Sequence, residues 1–405
     1  MTVLPKGWKR TEMGEIGRYL NGKAFKSQDW KSTGRPIIRI QNLTGSGTEF
    51  NYYQGEVEDR YVVQPGDLLF SWSATLGTYI WNGLEAVLNQ HIFKVESNID
   101  KRFHRHLLDF KIQEMQSQTH GSGMVHITKK TFDAIEVNIP PITEQHKIVE
   151  LLEDHLSRLD AALADVKQAK IKASQFRRSL LQAAFTGNLG LGESSLMTEL
   201  PPHWSSLALG ELCSSVEKVD PANLGRDDFW YVDIGALEPS SSSLEKVINI
   251  PTANAPGRAR QLIRNGDSIF ATVRPYMKKV AYIPKEFDGQ IASTGFCVLR
   301  PIQEKLHSKY LFYFLLSDQL LDQVLPLQRG VSYPAIRDND LKNARIPVPP
   351  IDEQNKVVEL LEDHLSRLDA SVSLADAMEK QSNGLRRSLL QAAFTGQLTN
   401  EVVSV

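Results

Sequence analysis

The chain is 405 residues long, beyond one ordinary domain of roughly 100–200 residues, so at least two domains are expected. Its 41% hydrophobic and 23% charged residues exclude a largely disordered chain, and 46 Lys+Arg against 48 Asp+Glu leave a net charge of -2, no global polycationic signature of nucleic-acid binding. Cys213 and Cys297 without ligand spacing, no stretch of 18 apolar residues and no signal-peptide core in Met1–Trp8 set aside a disulfide framework, a usual structural zinc and a membrane span. A cytoplasmic protein is expected.

Residues 1–138 alternate short β-like runs with turn signals. Ile37–Ile40, Leu68–Phe70, Thr78–Trp81 and His91–Val95 read as strands, Pro65-Gly66 as a type II turn and Phe103–Gln116 as a helix. Local charge is mild, with 17 basic and 15 acidic residues in 1–140. Polar residues concentrate in apparent loops: Arg39 and Asn42, then Asn89-Gln90-His91, then Ser122 and His126 leading to Lys129. Amide and guanidinium groups of this kind make bidentate contacts to base edges in the major groove. The same residues also suit ordinary solvated loops.

After Pro140-Pro141, which cannot sit inside a helix, the pattern turns helical, with Thr143 as the expected N-cap. Apolar residues at Val149, Leu152, Leu156, Leu159, Leu163 and Val166 form a heptad seam. The frame continues through Ala173, Leu180 and Ala184, interrupted by Lys170 and Arg177, and Gly187 supplies a left-handed cap. Such a helix runs roughly 40 residues, or about 60 Å. The pair Arg177-Arg178 near its end suits the negative pole of the helix dipole or an acidic partner surface.

The second half answers the first. Leu200-Pro-Pro-His-Trp204 echoes Leu4-Pro-Lys-Gly-Trp8, Val232–Leu237 shares the apolar frame of Ile38–Leu43, and Asn265-Gly-Asp-Ser-Ile-Phe270 matches Pro65-Gly-Asp-Leu-Leu-Phe70. Polar residues change on that frame: Asp233 stands for Arg39, Ala236 for Asn42 and Ser293-Thr-Gly295 for Asn89-Gln-His91. A helix is expected over Tyr310–Gln323. Polar loop candidates are Arg274, Tyr276, Lys278, Lys279, Arg329, Tyr333 and Arg337. Two stretches of the long helix then return letter for letter. Glu150–Ala161 recurs as Glu359–Ala370 and Arg177–Gly187 as Arg386–Gly396, both 209 residues on. Asp352 is the matching N-cap, Val358, Leu361, Leu365, Leu368, Val372 and Ala375 the matching seam, and Arg386-Arg387 the matching basic pair. Two matching apolar stripes are expected to pack on one another; the alternative is that each helix packs on its own domain.

Bond-making motifs are missing from the sequence. The glycine pairs Gly121/Gly123 and Gly190/Gly192 lack the GxGxxG context, and no GxxxxGK[ST], GxSxG, HExxH or HxE…PCxxC pattern occurs. Asn138-Ile-Pro-Pro141 departs from the Asn-Pro-Pro-aromatic motif of adenine methyltransferases by an extra Ile and a missing aromatic, and Ile346-Pro-Val-Pro-Pro350 has no Asn. It reads as a rigid hinge. Neither a catalytic residue nor a metal ligand is expected.

The order of parts resembles the DNA specificity subunit of type I restriction–modification systems. The resemblance rests on Ile139-Pro-Pro-Ile-Thr-Glu-Gln145 opening a long helix that ends Arg-Arg-Ser-Leu-Leu-Gln-Ala-Ala-Phe-Thr-Gly-Asn-Leu189, and on Pro349-Pro-Ile-Asp-Glu-Gln354 and Gly396-Gln-Leu398 completing a second round. It implies an α+β chain with two target recognition domains at 1–138 and 194–345, and helical spacers at 139–193 and 346–405. The spacers would pack as an antiparallel coiled coil in a pseudo-twofold internal repeat. The resemblance further implies double-stranded DNA, two modification (methyltransferase) subunits and two restriction subunits as partners. S-adenosylmethionine would sit on the methyltransferase partner and ATP and Mg on the restriction partner, with no cofactor on this chain. A specificity subunit of a related restriction type, or a coiled-coil scaffold with two ligand-binding modules, are the competing readings.

Overall fold

A computed structural model describes residues 4–73, 75–118, 129–189, 199–237 and 244–400. The chain divides into two compact units, residues 1–166 with 377–405, and residues 167–376.

In the first unit the strands are β1 (Lys9–Glu12), β2 (Gly17–Asn21), β3 (Arg35–Ile38), β4 (Asn51–Tyr53), β5 (Val62–Val63), β6 (Leu68–Ser71), β7 (Gly77–Ile80), β8 (Ala86–Leu88), β9 (Ile92–Ser97) and β10 (Glu136–Ile139). Helices α1 (Ile40–Thr44), α2 (Lys101–Gln118) and α3 (Lys129–Asp133) lie among them. They build an antiparallel sheet in the order β2-β9-β6-β7, a mixed sheet β4-β3-β8-β5 in which β3 and β8 run parallel, and a β1-β10 pair. The short buried runs Leu68–Phe70 and Ala86–Leu88 explain the layering, since both faces of these strands are covered.

The second unit repeats this topology with β11 (Ser205–Ala208), β12 (Cys213–Ser214), β13 (Asp228–Val232), β14 (Ile248–Pro251), β15 (Ala259–Leu262), β16 (Ser268–Ala271), β17 (Val280–Tyr282), β18 (Ile291–Ser293), β19 (Phe296–Pro301) and β20 (Arg345–Val348). The sheets are β12-β19-β16-β17, β14-β13-β18-β15 with β13 parallel to β18, and β11-β20. The paired turns seen in the sequence fold alike. Gly66 and Gly266 take φ of +88° and +89°, and Asp67 and Asp267 each accept a hydrogen bond from the backbone N–H three residues earlier, at 2.9 and 2.8 Å. One expected helix is two: α6 (Ser308–Leu316) stops and α7 (Asp318–Val324) starts at Ser317. The buried Ser317 hydroxyl donates to Phe314 O and accepts from Leu320 N–H, ending one helix and capping the next. Helices α5 (Leu209–Leu212) and α8 (Asp338–Lys342) complete this set.

The long helices are α4 (Ile142–Ala184) and α9 (Ile351–Phe394), of 43 and 44 residues, closed by Gly187 and Gly396 at φ +75° and +78°. Each starts one residue before the expected N-cap, with Pro141 and Pro350 carbonyls accepting the first-turn N–H bonds. The start of α4 and the end of α9 share the first unit's core. Val149, Leu152 and Leu156 are buried there with Leu390, Ala393 and Phe394 and with Phe103 and Leu107 of α2. In the second unit Val358, Leu361 and Leu365 of α9 are buried with Leu180 and Leu181 of α4, with Phe185 just beyond it, and with Tyr310 and Phe314 of α6. Phe394 meets Phe103 at 5.2 Å and Phe185 meets Tyr310 at 5.0 Å, edge to face in both units. The two expectations for the stripes therefore both hold in part: each helix packs on its own domain and is met there by the end of the other. Arg386–Asp160 in the first unit, and Lys170–Asp376 and Arg177–Asp369 in the second, run in opposite senses along the two helices, so they are antiparallel.

Candidate nucleic-acid interface

In the first domain the parallel strands β3 and β8 end side by side, and the residues that follow them form a polar cluster. Arg39 lies over the Trp30 ring at 5.3 Å, Lys23 bridges to Asn89 and lies over the Tyr53 ring at 4.9 Å, and Gln90 meets His91 at 3.2 Å. Trp72, just beyond β6, donates its backbone N–H to His91 O and its indole N–H to Asn21 Oδ1. Cations over aromatic faces beside exposed amides can contact both phosphates and bases. Arg39, Asn89, Gln90 and His91 are thus brought together. Trp72, Asn21, Lys23 and Tyr53 join them without having been expected; a Trp directly after a fully buried strand was the available signal.

Asn42 is a correction. Its Oδ1 accepts from Arg39 N–H at 3.0 Å and its Nδ2 donates to Glu49 O and Gly47 O at 2.9 and 3.3 Å. The amide closes the α1 loop and has no hydrogen left for a base. Lys129 pairs with Asp133 at 2.6 Å at the start of α3. Ser122 and His126 lie outside the described residues.

The second domain differs at the same place. Asp233 follows β13, its carboxylate capping Gly235 N–H, and Thr272 occupies the position of Trp72, donating its N–H to Gly295 O as Trp72 does to His91 O. The basic and aromatic residues stand instead on two adjoining loops. Arg274 N–H donates to Pro334 O at 2.7 Å and its guanidinium lies 5.3 Å from the Tyr333 ring. Arg329 and Ala335 bond reciprocally as a hairpin, and Tyr276 and Arg337 flank it in solvent. Arg329 also pairs with Asp340, holding that carboxyl below the usual carboxylate range. Two lysines are corrections. Lys278 Nζ donates to Leu316 O at 2.9 Å and pairs with Asp318 at 2.6 Å, and Lys279 Nζ donates to Ile234 O at 3.0 Å. Both ammonium groups are turned into the domain as ties.

The joint between domain and helix is the same twice. Trp8 and Trp204 each donate the indole N–H to the first glutamate of the helix, Glu144 and Glu353, at 3.1 Å. Buried Gln145 accepts from Asp100 N–H and donates to Pro140 O, while Gln354 accepts from His307 N–H and donates to Pro349 O. The repeated Pro-Pro and Glu-Gln letters are the parts of this joint. Along the helices, Leu152, Leu156, Leu361 and Leu365 are buried and Leu159, Leu163 and Leu368 partly so. Arg177 and Arg386 are not dipole ligands: each reaches an aspartate of the other long helix, Asp369 and Asp160. Arg178 pairs with Asp318 at 3.0 Å, and Arg387 is exposed. Among the described residues no cluster of His, Cys, Asp and Glu is arranged to hold a metal ion, and no helix is long and apolar enough to cross a membrane.

The sequence profile of the type I restriction modification DNA specificity domain matches residues 5–173 and again 203–373, one match for each repeat. The chain belongs to this family. It is 26% identical over 421 residues to the type I restriction enzyme EcoBI specificity subunit of Escherichia coli, covering 97% of this chain and 86% of that one. It is 22% identical over 414 residues to the MjaVIII specificity subunit of Methanocaldococcus jannaschii, covering 98% and 94%. Among solved structures, the HsdS subunit from Thermoanaerobacter tengcongensis is similar at 40% identity over 46% of this chain and 48% of that chain, with a TM-score of 0.43.

Proposed function

We infer that the chain is the DNA-specificity subunit of a type I restriction–modification system. Each recognition domain reads one half of a bipartite, asymmetric site, and the chain itself breaks and makes no bond. The observation that carries this is one frame bearing two unlike surfaces. The helix joint and the strand-end hydrogen bonds are reproduced, while Arg39, Trp72 and His91 give way to Asp233, Thr272 and Gly295. Equal scaffolds with different side chains at the reading position are what two different half-sites require.

On this reading two modification subunits bring S-adenosylmethionine and methylate adenine, and two restriction subunits supply ATP- and Mg-dependent cleavage. The paired helices set the gap between half-sites and carry the modification subunits. Ile171 and Phe176 of α4 and Leu374 and Met378 of α9 are exposed apolar side chains on these helices, as a protein-docking surface needs. The near-zero net charge of -2 fits a chain whose partners make much of the phosphate contact. The test is to express the chain with its methyltransferase partner and map methylated adenines across a genome. A single motif of two unlike halves at a constant gap is expected. Methylation without sequence preference, or none that depends on this chain, would overturn the reading.

A further inference from the structure

The second domain carries an apolar tip that its own fold leaves uncovered. Val331 is 101% exposed and Tyr333 72%, and beside them Tyr276 is 51% and Met277 38% exposed. Apolar surface gathered at one protrusion is unfavourable in water unless something covers it.

The tip is built. Arg329 and Ala335 exchange both backbone hydrogen bonds at 2.9 Å, and Gly330 turns the hairpin at φ +91°, where a Cβ would lie 3.1 Å from Tyr333 O. The adjoining turn is held by strain. Arg274 and Lys278, the positive-φ non-glycine residues among those described, sit at φ 52° and 46° on either side of Pro275–Met277. Such backbone persists only where the surroundings enforce it, and it gathers at functional positions. Here the enforcing contacts are Lys278 Nζ on Leu316 O and Asp318, and Arg274 N–H on Pro334 O. Ile336 N–H donates to Thr272 O, so the tip stands at the end of β16, where the first domain has Trp72 at the end of β6. One guanidinium lies on the apolar side chains, Arg274 over the Tyr333 ring, and Arg337 is exposed just past the hairpin, while Arg329 is neutralised by Asp340. An apolar prong with a guanidinium over its aromatic ring and a second exposed arginine after it matches an unstacked base between phosphates better than an apolar protein groove.

We propose that Val331 and Tyr333 form a wedge that enters a base step in the half-site read by the second domain, Tyr333 stacking on the exposed base while Arg274 and Arg337 meet the flanking phosphates. This rests on the DNA-reading inference above. Because pyrimidine–purine steps unstack most easily, the second half-site carries such a step at the wedge position.

The test uses the full chain assembled with its methyltransferase partner and duplexes bearing the mapped site, with 2-aminopurine placed in turn at each second-half-site position other than the methylated adenine. Binding raises the fluorescence at one step. Tyr333→Ala abolishes the rise and weakens cognate binding about 10- to 100-fold with an unchanged salt slope, and Tyr333→Phe restores both. Specific binding with no rise at any such step overturns the wedge and leaves the DNA reading standing. So does a rise and affinity that Tyr333→Ala leaves intact, which would assign the tip to a protein partner. Absence of any sequence-specific binding overturns the DNA reading beneath it.

Discussion

At the scale of single residues, one buried polar side chain sets the first domain apart from the second. His104 is fully buried in the first domain, its Nε2 2.6 Å from Tyr19 Oη and its Nδ1 2.6 Å from Ser97 Oγ. Neutral imidazole can donate through one nitrogen and accept through the other, whereas imidazolium would bring a charge into the apolar cluster. Burial accordingly pushes His104 down to about 4 from its ordinary value of 6.5. The unfolded chain therefore takes up a proton first, and stability is lost as pH falls from about 6.5 toward 4, by roughly 3 kcal/mol from this residue. Counting from the amides capped by Gln145 and Gln354, Leu311 stands at this place in the second domain, which lacks the liability. Urea midpoints at pH 7 and pH 4.5 are expected to fall further for the native chain than for His104→Gln; equal falls would remove His104 as the cause. The residues that sequence reasoning misplaced fail for a related reason. Asn42, Lys278 and Lys279 look like loop polar groups, and nothing local shows that their partners are Glu49 O, Leu316 O and Ile234 O.

For helices and strands the sequence was more informative, because periodicity is local and survives without its partners. The long helices, their glycine ends and the seam leucines were readable from spacing alone. The break at Ser317 was not, since Leu315, Leu320 and Leu321 keep an apolar pattern running across it. Nor did the heptads say where the helices hold each other. Burial is deepest at their ends, beside the domains; further along, Val166 and Ala375 of the seam are buried and Leu163, Ala173 and Val372 are only partly covered. The ion pairs there join partly exposed side chains, and such pairs contribute about 0–1 kcal/mol. Leu361, fully buried among Phe185, Tyr310 and Phe314, belongs to a different class, for which truncation costs about 2–5 kcal/mol. Leu361→Ala is thus expected to lower the denaturant midpoint several times more than Arg177→Ala. Comparable losses would mean that charge, not packing, fixes the helices together.

For the molecule as a whole, the joint decides how freely reading surfaces can be exchanged. At the start of α4 it consists of the Trp8 indole N–H on Glu144, the Asp100 backbone N–H on Gln145 and the Pro140 carbonyl on the same glutamine. Two of these three partners are backbone atoms and the third is the Trp of a motif present in both halves, so the connection makes no demand on the loops that read bases. The apolar demand is narrow as well: Phe103 and Leu107 must meet Leu152, Leu156 and Phe394. Replacing residues 1–138 with the first recognition domain of a relative that keeps the Trp, and apolar residues where Phe103 and Leu107 stand, should therefore preserve folding. The adenine-methylation map of this chimera with its partner is expected to change in one half-site only, with the other half and the gap unaltered. Equal increments removed from both long helices should do the converse and change the gap while keeping the bases. If the exchange altered both half-sites, or the shortened helices left the gap alone, the two domains would not be independent readers and the helices would not be the element that spaces them.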